Sequence, residues 1–502
     1  MEILVLLAIS LPLLLLFKLK NHYVRKSNRG APGPPGLPWI GNMHQLDTSN
    51  IHICLQKLSH KYGPFMSLQL GSFKALVISS PSAAKEVFKY HDLCFSSKPI
   101  LVGLQKLTYN HQDIVFSPYN DYWRNMRKIS TLHLFSSKRS QSFQPIREEE
   151  VARMVKTIRD EAVTGSNVVN LSKTITTLVT SIILRITFGK IYDGARNSES
   201  NSDISTEKLH WLLDEIRANV SSFFLADYFP LVGSFVDRLS GVWSQSEKRF
   251  NEIDAFTQQI IDEYLHTSSA STEDFTILDI LLQMKKDLSD FTLGHVKAIL
   301  LDILIAASDT SSSSTVWAMS LLMKNPARMK KAREEVRELI GKKGFIDEVD
   351  VQKLVYLKAV VKESMRMQPP VPFVLRETID KCVVSGYEIE AKTRVYLNVY
   401  AIGRDPKAWE NPDAFVPERF INSSIDVKGQ DFELLPFGAG RRICPGMLMG
   451  LATTELALAN LLYSFNWELP PGTRIEDIDM ASQPGFVMHK KTRLCLVPKI
   501  MD

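Results

Sequence analysis

Five stretches show the apolar and polar patterning of long helices: residues 146–162, 247–265, 292–323, 326–340 and 447–465. Each is of helix length and largely free of internal proline. Shorter β-rich pieces at 75–79, 383–389 and 394–399 interrupt that pattern and read as strands. The expected fold class is mainly α with small β-sheets. Serine-rich stretches at 197–205 and 267–272 read as surface loops. No fixed-period repeat is present, which argues against solenoids and propellers.

The N-terminus departs from this pattern. Residues 3–17 are uniformly apolar except for Ser10 and Pro12, and Lys18, Lys20, Arg25, Lys26 and Arg29 follow. At about 1.5 Å per residue the run spans roughly 22 Å, short of a hydrocarbon core of roughly 30 Å, so Leu19, Tyr23 and Val24 must extend it while Lys18 and Lys20 snorkel. Glu2 ahead of the run, with no preceding basic residue and no A-x-A site after it, argues against a cleaved signal peptide. Residues 1–24 are therefore expected to be a retained membrane anchor with a basic cytosolic flank. Residues 25–42 contain Ala31-Pro32-Gly33-Pro34-Pro35-Gly36-Leu37-Pro38, a stiff hinge in which repeated X-Pro bonds forbid helix. Residues 43–502 form the folded part.

Composition narrows the classes further. The 502 residues are 45% hydrophobic, enough for a large core, and carry a net charge of only +5. No concentrated basic stripe suggests nucleic acid. Cys54, Cys94, Cys382, Cys444 and Cys495 are odd in number and lack CxxC spacing, so neither a disulfide framework nor a zinc site is expected, and the folded part reads as cytosolic.

The most specific chemistry lies in Phe437-Gly438-Ala439-Gly440-Arg441-Arg442-Ile443-Cys444-Pro445-Gly446. One cysteine stands on a glycine-rich loop beside an arginine, just before a long apolar segment. A helix N-terminus there would lower the thiol pKa through its dipole and free N–H groups, and Pro445 suits a first helical turn. A cysteine taken alone is usually a small buried hydrophobe. Here the whole spacing F-x-x-G-x-R-x-C-x-G is met at Phe437, Gly440, Arg442, Cys444 and Gly446, and the chain resembles the cytochrome P450 superfamily. That resemblance implies the P450 fold, a single catalytic domain over 43–502, and haem b whose iron takes an axial thiolate from Cys444, with O–O cleavage as its chemistry. Gly440 and Gly446 would allow close approach of the macrocycle, and Arg442 would meet a haem propionate.

Other motifs extend the resemblance over essentially the whole chain, in the family's order. Glu363 and Arg366 lie three apart on one helical face, ahead of Pro369-Pro370, and Phe415-Val416-Pro417-Glu418-Arg419-Phe420 resembles the family's P-E-R-F element. Glu363, Arg366 and Arg419 are thereby expected to lock together as structural support for the cysteine loop. Trp123 and Arg127 match the W-x-x-x-R propionate clamp, and Arg376 joins them with Arg442. Ala306-Ala307-Ser308-Asp309-Thr310 resembles the oxygen-activation motif, with Asp309 and Thr310 as a proton relay and Ala307 where glycine is common. Serine and threonine hydroxyls bonding back to their own helix carbonyls are the structural alternative. Substrate contacts are expected from the loop 100–119 and from Ala306, Val371, Phe373 and Phe486, mostly apolar positions that suit a hydrophobic molecule or simply core.

The run 428–437 looks like plant microsomal A-type P450s, families 71 and 83. The implied function is a monooxygenase of plant specialised metabolism that inserts one oxygen atom of O2 into a hydrophobic small molecule: a terpenoid, an alkaloid, a phenylpropanoid or similar. Electrons would come from NADPH through NADPH–cytochrome P450 reductase, with cytochrome b5 as a further candidate partner and Arg441, Lys428 and Lys128 as candidate docking charges. The implied location is the endoplasmic reticulum membrane, single-pass, with the catalytic domain in the cytosol. Three alternatives stay open: an aldoxime-metabolising P450, a reductase-independent haem-thiolate isomerase or dehydratase, and a non-catalytic haem-binding protein.

Overall fold

The computed structural model describes residues 30–164, 168–189, 206–267 and 276–500. The expected anchor at 1–24, the first residues of the hinge and most of both serine-rich stretches lie outside them. After the proline-rich approach come helix α1 (Ile51–Tyr62) and the strands β1 (Phe65–Leu70) and β2 (Phe73–Ile78). Then follow α2 (Asp121–His133), α3 (Gln144–Thr164), β3 (Val169–Asn170), α4 (Leu171–Phe188), α5 (Thr206–Val220), α6 (Pro230–Leu239) and α7 (Val242–Thr267). The second half runs α8 (Ile277–Asp287), α9 (Leu293–Lys324), α10 (Pro326–Ile340), α11 (Val355–Met367), β4 (Phe373–Glu377), β5 (Cys382–Val384), β6 (Tyr387–Ile389), β7 (Arg394–Asn398), α12 (Met447–Ser464), β8 (Phe465–Glu468) and β9 (Cys495–Ile500). The five expected helices are present within a few residues of their expected ends.

The strands form three small sheets: β1-β2-β7-β4, β3-β9-β8 and the hairpin β5-β6. In the largest, β2 and β7 run parallel with Leu76 opposite Val395, and β4 returns antiparallel with Leu375 opposite Tyr396. The expected strand at 383–389 is this hairpin, because Ser385 and Gly386 both take positive φ, 48° and 82°, and fold it back.

Helix α9 is the spine. Thr292 caps it, its backbone N–H donating to His295 Nδ1 at 2.8 Å, and 32 residues at about 1.5 Å each carry it roughly 48 Å through the core. It packs against α4 and α12, so its apolar residues run all round rather than in one stripe. From His295 to Met323 every residue is buried except Ile305, Ala306, Ala307 and Thr310. The same explanation covers α4. It is long and apolar enough to cross a membrane, yet Ile175, Leu178, Ile182 and Ile186 are buried in the main core. The opposite case is α6, where Leu231, Val232, Phe235 and Leu239 stand in solvent, Leu231 at 90% exposure.

Candidate active site

The loop from Phe437 delivers Cys444 to the start of α12. Its backbone is pinned from both sides: Cys444 N donates to the Phe437 carbonyl at 3.0 Å, and Arg127 from α2 donates Nη2 to the Ile443 carbonyl. Gly446 is the helix N-cap, so Pro445 lies just outside the first turn it was expected to occupy. The glycine argument also moves. At Gly440, with φ 68°, a β-carbon would stand 2.0 Å from Asp92 Oδ1, so this glycine makes room for Asp92. Asp92 in turn accepts from Arg441 N and pairs with Arg441 Nη1 at 2.6 Å. A β-carbon on Gly446 would meet no protein atom within 4 Å. Burial pushes the Cys444 thiol above its ordinary range, with the Gly446 N–H and Arg127 pulling the other way. The Gly446 N–H and Arg127 thus offset the effect of burial only in part. A coordinated cation would complete the offset, since it deprotonates a ligating thiol outright.

Cations converge above this loop. Arg376 on β4 is 2% exposed, and Arg442 and Lys98 lie beside it. Arg442 donates Nε to the Ser96 carbonyl (2.9 Å) and Nη2 to the Ser117 carbonyl (2.7 Å). Its Nη1, and Nε and Nη1 of Arg376, are buried with no partner among the described residues. Burial pushes Arg376 down to about 9 against the pull of Asp92, with Arg127 adding to the fall; burial and then repulsion from Arg376 push Arg442 down to about 9, and burial with repulsion from both holds Lys98 well below the usual lysine range. Asp113, the acid facing Arg442 and Lys98, is itself pushed up to about 6 by burial. Unmet buried guanidinium donors are costly, and a dicarboxylate would satisfy them. The donor set thus fits the two propionates of haem. Trp123 plays a different part from the one expected: its indole N–H donates to the Ile114 carbonyl at 3.0 Å, and its ring lies 3.7 Å from the Arg442 guanidinium as a cation–π support.

On α9 the accessible strip is Ile305–Ala307 with Thr310. Asp309 and Thr310 point apart, as adjacent helical residues do. Thr310 donates Oγ1 to the Ala306 carbonyl at 2.7 Å, the back-bonding weighed above. Asp309 is buried and accepts from Arg217 of α5 at 2.7 Å and 2.9 Å. Of the expected substrate contacts, Ala306 is exposed on the strip and Val371 is half-buried, while Phe486 lies 5.9 Å from Phe116 and so joins two of the expected segments. Phe373 does not join them. Strand alternation turns it against Tyr396, 6.3 Å away, in the cluster beneath β1 and β2.

Glu363, Arg366 and Arg419 meet as expected. Arg366 donates Nε and Nη2 to Glu363 at 2.7 Å and 2.9 Å, and Arg419 donates Nε to Glu363 at 3.1 Å. Arg366 also reaches the carbonyls of Pro412 and Ala414, so the trio staples 403–416 to α11. The docking charges are less free than expected, because Arg441 pairs with Asp92 and Lys428 with Asp426, while Lys128 is exposed. Sequence reasoning missed Arg217, His489, Asp92, Asp113 and Asp302. Asp302 on α9 accepts from Ile114 N and Val115 N and so fixes the loop 113–116. Each acts over more than 100 residues of separation or from an unremarkable local context, so no local motif marks it.

Against this geometry, the cytochrome P450 family model matches residues 31–497. The chain belongs to the cytochrome P450 family. It is 44% identical over 503 residues to 6,7,8-trihydroxycoumarin synthase of Pastinaca sativa, covering 98% of each chain. It is 45% identical to strychnine-11-hydroxylase of Strychnos nux-vomica, covering 96% of this chain and 94% of that one. Among solved structures it resembles a zebrafish cytochrome P450 determined with abiraterone, at a TM-score of 0.73 and 25% identity over 90% of this chain and all of that one. The protein is accordingly a haem-thiolate P450 monooxygenase, similar to plant hydroxylases of specialised metabolism.

Proposed function

We propose that Cys444 supplies the axial thiolate of this P450, that Arg376 and Arg442 hold the haem propionates with Arg127 and Trp123 in support, and that Asp309 and Thr310 serve proton delivery. The observation that carries the reading is the set of buried guanidinium donors with no acceptor among the described residues, gathered above the Cys444 loop. Bound there, haem supplies reductive activation of O2 and insertion of one oxygen atom into substrate, the other leaving as water. This chain's residues then orient and protect. Thr310 keeps a hydroxyl on the accessible strip of α9, and Asp309 keeps a buried carboxylate one residue away, about 100° round the helix. Phe116, Phe486, Val371 and Ala306 exclude water around a hydrophobic substrate of the terpenoid, alkaloid or phenylpropanoid type. Glu363, Arg366 and Arg419 are structural.

Residues 1–24 act as the membrane anchor, 25–42 as the hinge and 43–502 as the catalytic domain, on the cytosolic face of the endoplasmic reticulum. The exposed apolar residues of α6, with Trp39 of the hinge at 77% exposure, support a second contact with lipid. NADPH–cytochrome P450 reductase docks on the Cys444 side, where Lys128 is exposed.

The test is turnover of a plant-metabolite panel by microsomes containing this protein and reductase, read by mass spectrometry. A product heavier by one oxygen, formed only with NADPH, is expected. Product formed equally without NADPH moves the reading to an isomerase or dehydratase. Cys444→Ser is expected to abolish the red-shifted Soret band of the reduced CO complex, and retention of that band would sink the ligand assignment.

A further inference from the structure

Two segments far apart in sequence run together beside the cysteine loop, and each carries a cysteine that the motifs above do not use. Residues 92–97 and 376–382 are joined by backbone hydrogen bonds, Glu377 N donating to the Ser97 carbonyl at 2.9 Å and Ile379 N to the Cys94 carbonyl at 2.8 Å. At the end of this seam the Cys94 thiol donates to the Asp380 carbonyl at 3.2 Å, and the Cys382 thiol is hydrogen-bonded to Cys94. That second bond chiefly holds the Cys94 thiol down at about 7, with burial opposing it, so Cys94 rather than Cys382 is the thiolate of the pair. Both side chains pack against the core cluster that contains Val384 and Ile389, yet both stay half-buried and within reach of a small solute. The seam also touches the haem flank from two sides. Asp92 pairs with Arg441 and the Ser96 carbonyl accepts from Arg442, while Arg376 belongs to the other segment.

We propose that Cys94 and Cys382 form a dithiol that hydrogen peroxide oxidises to a disulfide, and that this bond clamps the flank on which Arg376 and Arg442 hold haem. The clamp rests on the reading of those arginines as propionate donors; the dithiol does not. An accessible thiolate beside a second thiol is the arrangement that peroxide oxidises reversibly. The Cys94 thiolate attacks one peroxide oxygen, the O–O bond breaks, and the departing hydroxide takes a proton to become water, leaving a sulfenic acid on Cys94. The Cys382 thiol then attacks that sulfur and expels its hydroxyl as a second water while the S–S bond forms. In all, two thiols give up two electrons and two protons, and one H2O2 is reduced to two waters. Cys382 opens the β5-β6 hairpin, which pairs with no other described strand and can shift to disulfide spacing. Once closed, the bond joins the segment that anchors Arg441 and Arg442 to the one that carries Arg376, where two backbone hydrogen bonds alone held them. Opening of that flank, through which the propionates must leave, is then opposed covalently.

The test treats full-length ferric holoprotein with hydrogen peroxide while imidazole closes the iron's open position, so that oxidation at haem does not compete. Thiols are then alkylated and the protein is digested without reductant for mass spectrometry. A peptide pair linked through Cys94 and Cys382 is expected, forming roughly tenfold faster than Cys54 or Cys495 loses its thiol, and disappearing on treatment with dithiothreitol. Equal loss at all of these cysteines, or Cys94 recovered only as sulfinic or sulfonic acid, overturns the dithiol. Transfer of haem to a scavenging apoprotein is expected to be roughly threefold slower from the linked protein, and to return to its first rate after reduction. Cys94→Ser and Cys382→Ser are each expected to abolish both the link and the peroxide effect on transfer, with an unchanged CO spectrum as control. Should either variant fail to take up haem, the oxidised and re-reduced wild-type protein carries the comparison alone. Equal transfer from linked and reduced protein overturns the clamp. A wild-type protein that takes up no haem but forms the link overturns the P450 reading of the site and leaves the dithiol standing.

Discussion

Two buried arginine networks flank the cysteine loop, and they are built on opposite principles. In the first, Glu363 places a carboxylate between Arg366 and Arg419, and backbone carbonyls of Gly403, Pro412 and Ala414 take the remaining donors of Arg366. Charge and hydrogen bonding close within the protein. In the second, Arg376 and Arg442 crowd Lys98, the acid Asp113 faces Arg442 and Lys98, and three guanidinium nitrogens have no partner among the described residues. A network closed by protein atoms is part of the fold. One left open by the protein is shaped for an anion that the protein binds, and burial by itself does not separate the two cases.

The largest predicted effect tests the closed network. Glu363→Leu leaves the buried Arg366 and the half-buried Arg419 without their shared carboxylate and is expected to cost about 3–5 kcal/mol. Urea unfolding followed by circular dichroism is expected to show that loss in apoprotein and holoprotein alike. A loss seen only in holoprotein would erase the distinction between the networks. Next comes the open network, through Arg376→Met. Removing a cation from a crowded, uncompensated site is expected to leave the apoprotein at least as stable as wild type. Haem, which loses charged hydrogen bonds worth about 1.5–3 kcal/mol, is expected to pass to a scavenging apoprotein roughly 10–100-fold faster. An apoprotein destabilised as strongly as Glu363→Leu would place Arg376 among the structural arginines instead.

The same contrast explains what the sequence made legible. Residues that act within a short span were readable, because spacing carries their geometry: Glu363 with Arg366 on one helical turn, and the cysteine loop running into α12. The long helices were readable for the same reason, α9 above all, whose apolar run and cap lie in one stretch. What could not be read was how each donor is shared out. Trp123 has the expected helical spacing to Arg127, yet its indole N–H faces Ile114 because the loop 113–116 is drawn to α9 by Asp302. Gly440 was readable as a tight position, but not that Asp92, almost 350 residues earlier, is what it makes room for. Phe373 and Val371 stood alike as apolar candidates, and only pairing with β7 decides that Phe373 faces Tyr396.

Glu455 on α12 supplies a subtler case, a buried anion rather than a buried cation. Burial first pushes its carboxyl up to about 7, with Asp426 and Glu348 adding to the rise and Lys358 and Lys362 opposing it. Those lysines are engaged elsewhere, Lys362 with Asp426 at 3.3 Å and Lys358 with Gln352 at 2.8 Å, so they do not close a network around Glu455. A folded-state pKa above the unfolded value of about 4.3 means the folded protein holds this proton more tightly. The stability it contributes is present in full below that unfolded pKa and disappears as pH rises through about 7. Glu455→Gln keeps the shape and removes the titration, so it is expected to match wild type at pH 4 and below and to exceed it by roughly 3 kcal/mol at pH 8. Urea midpoints across that range read the difference. If Glu455→Gln is instead the less stable protein at pH 8, then Lys358 and Lys362 neutralise the carboxylate after all, and Glu455 belongs with the closed network around Glu363 rather than with the open one around Arg376.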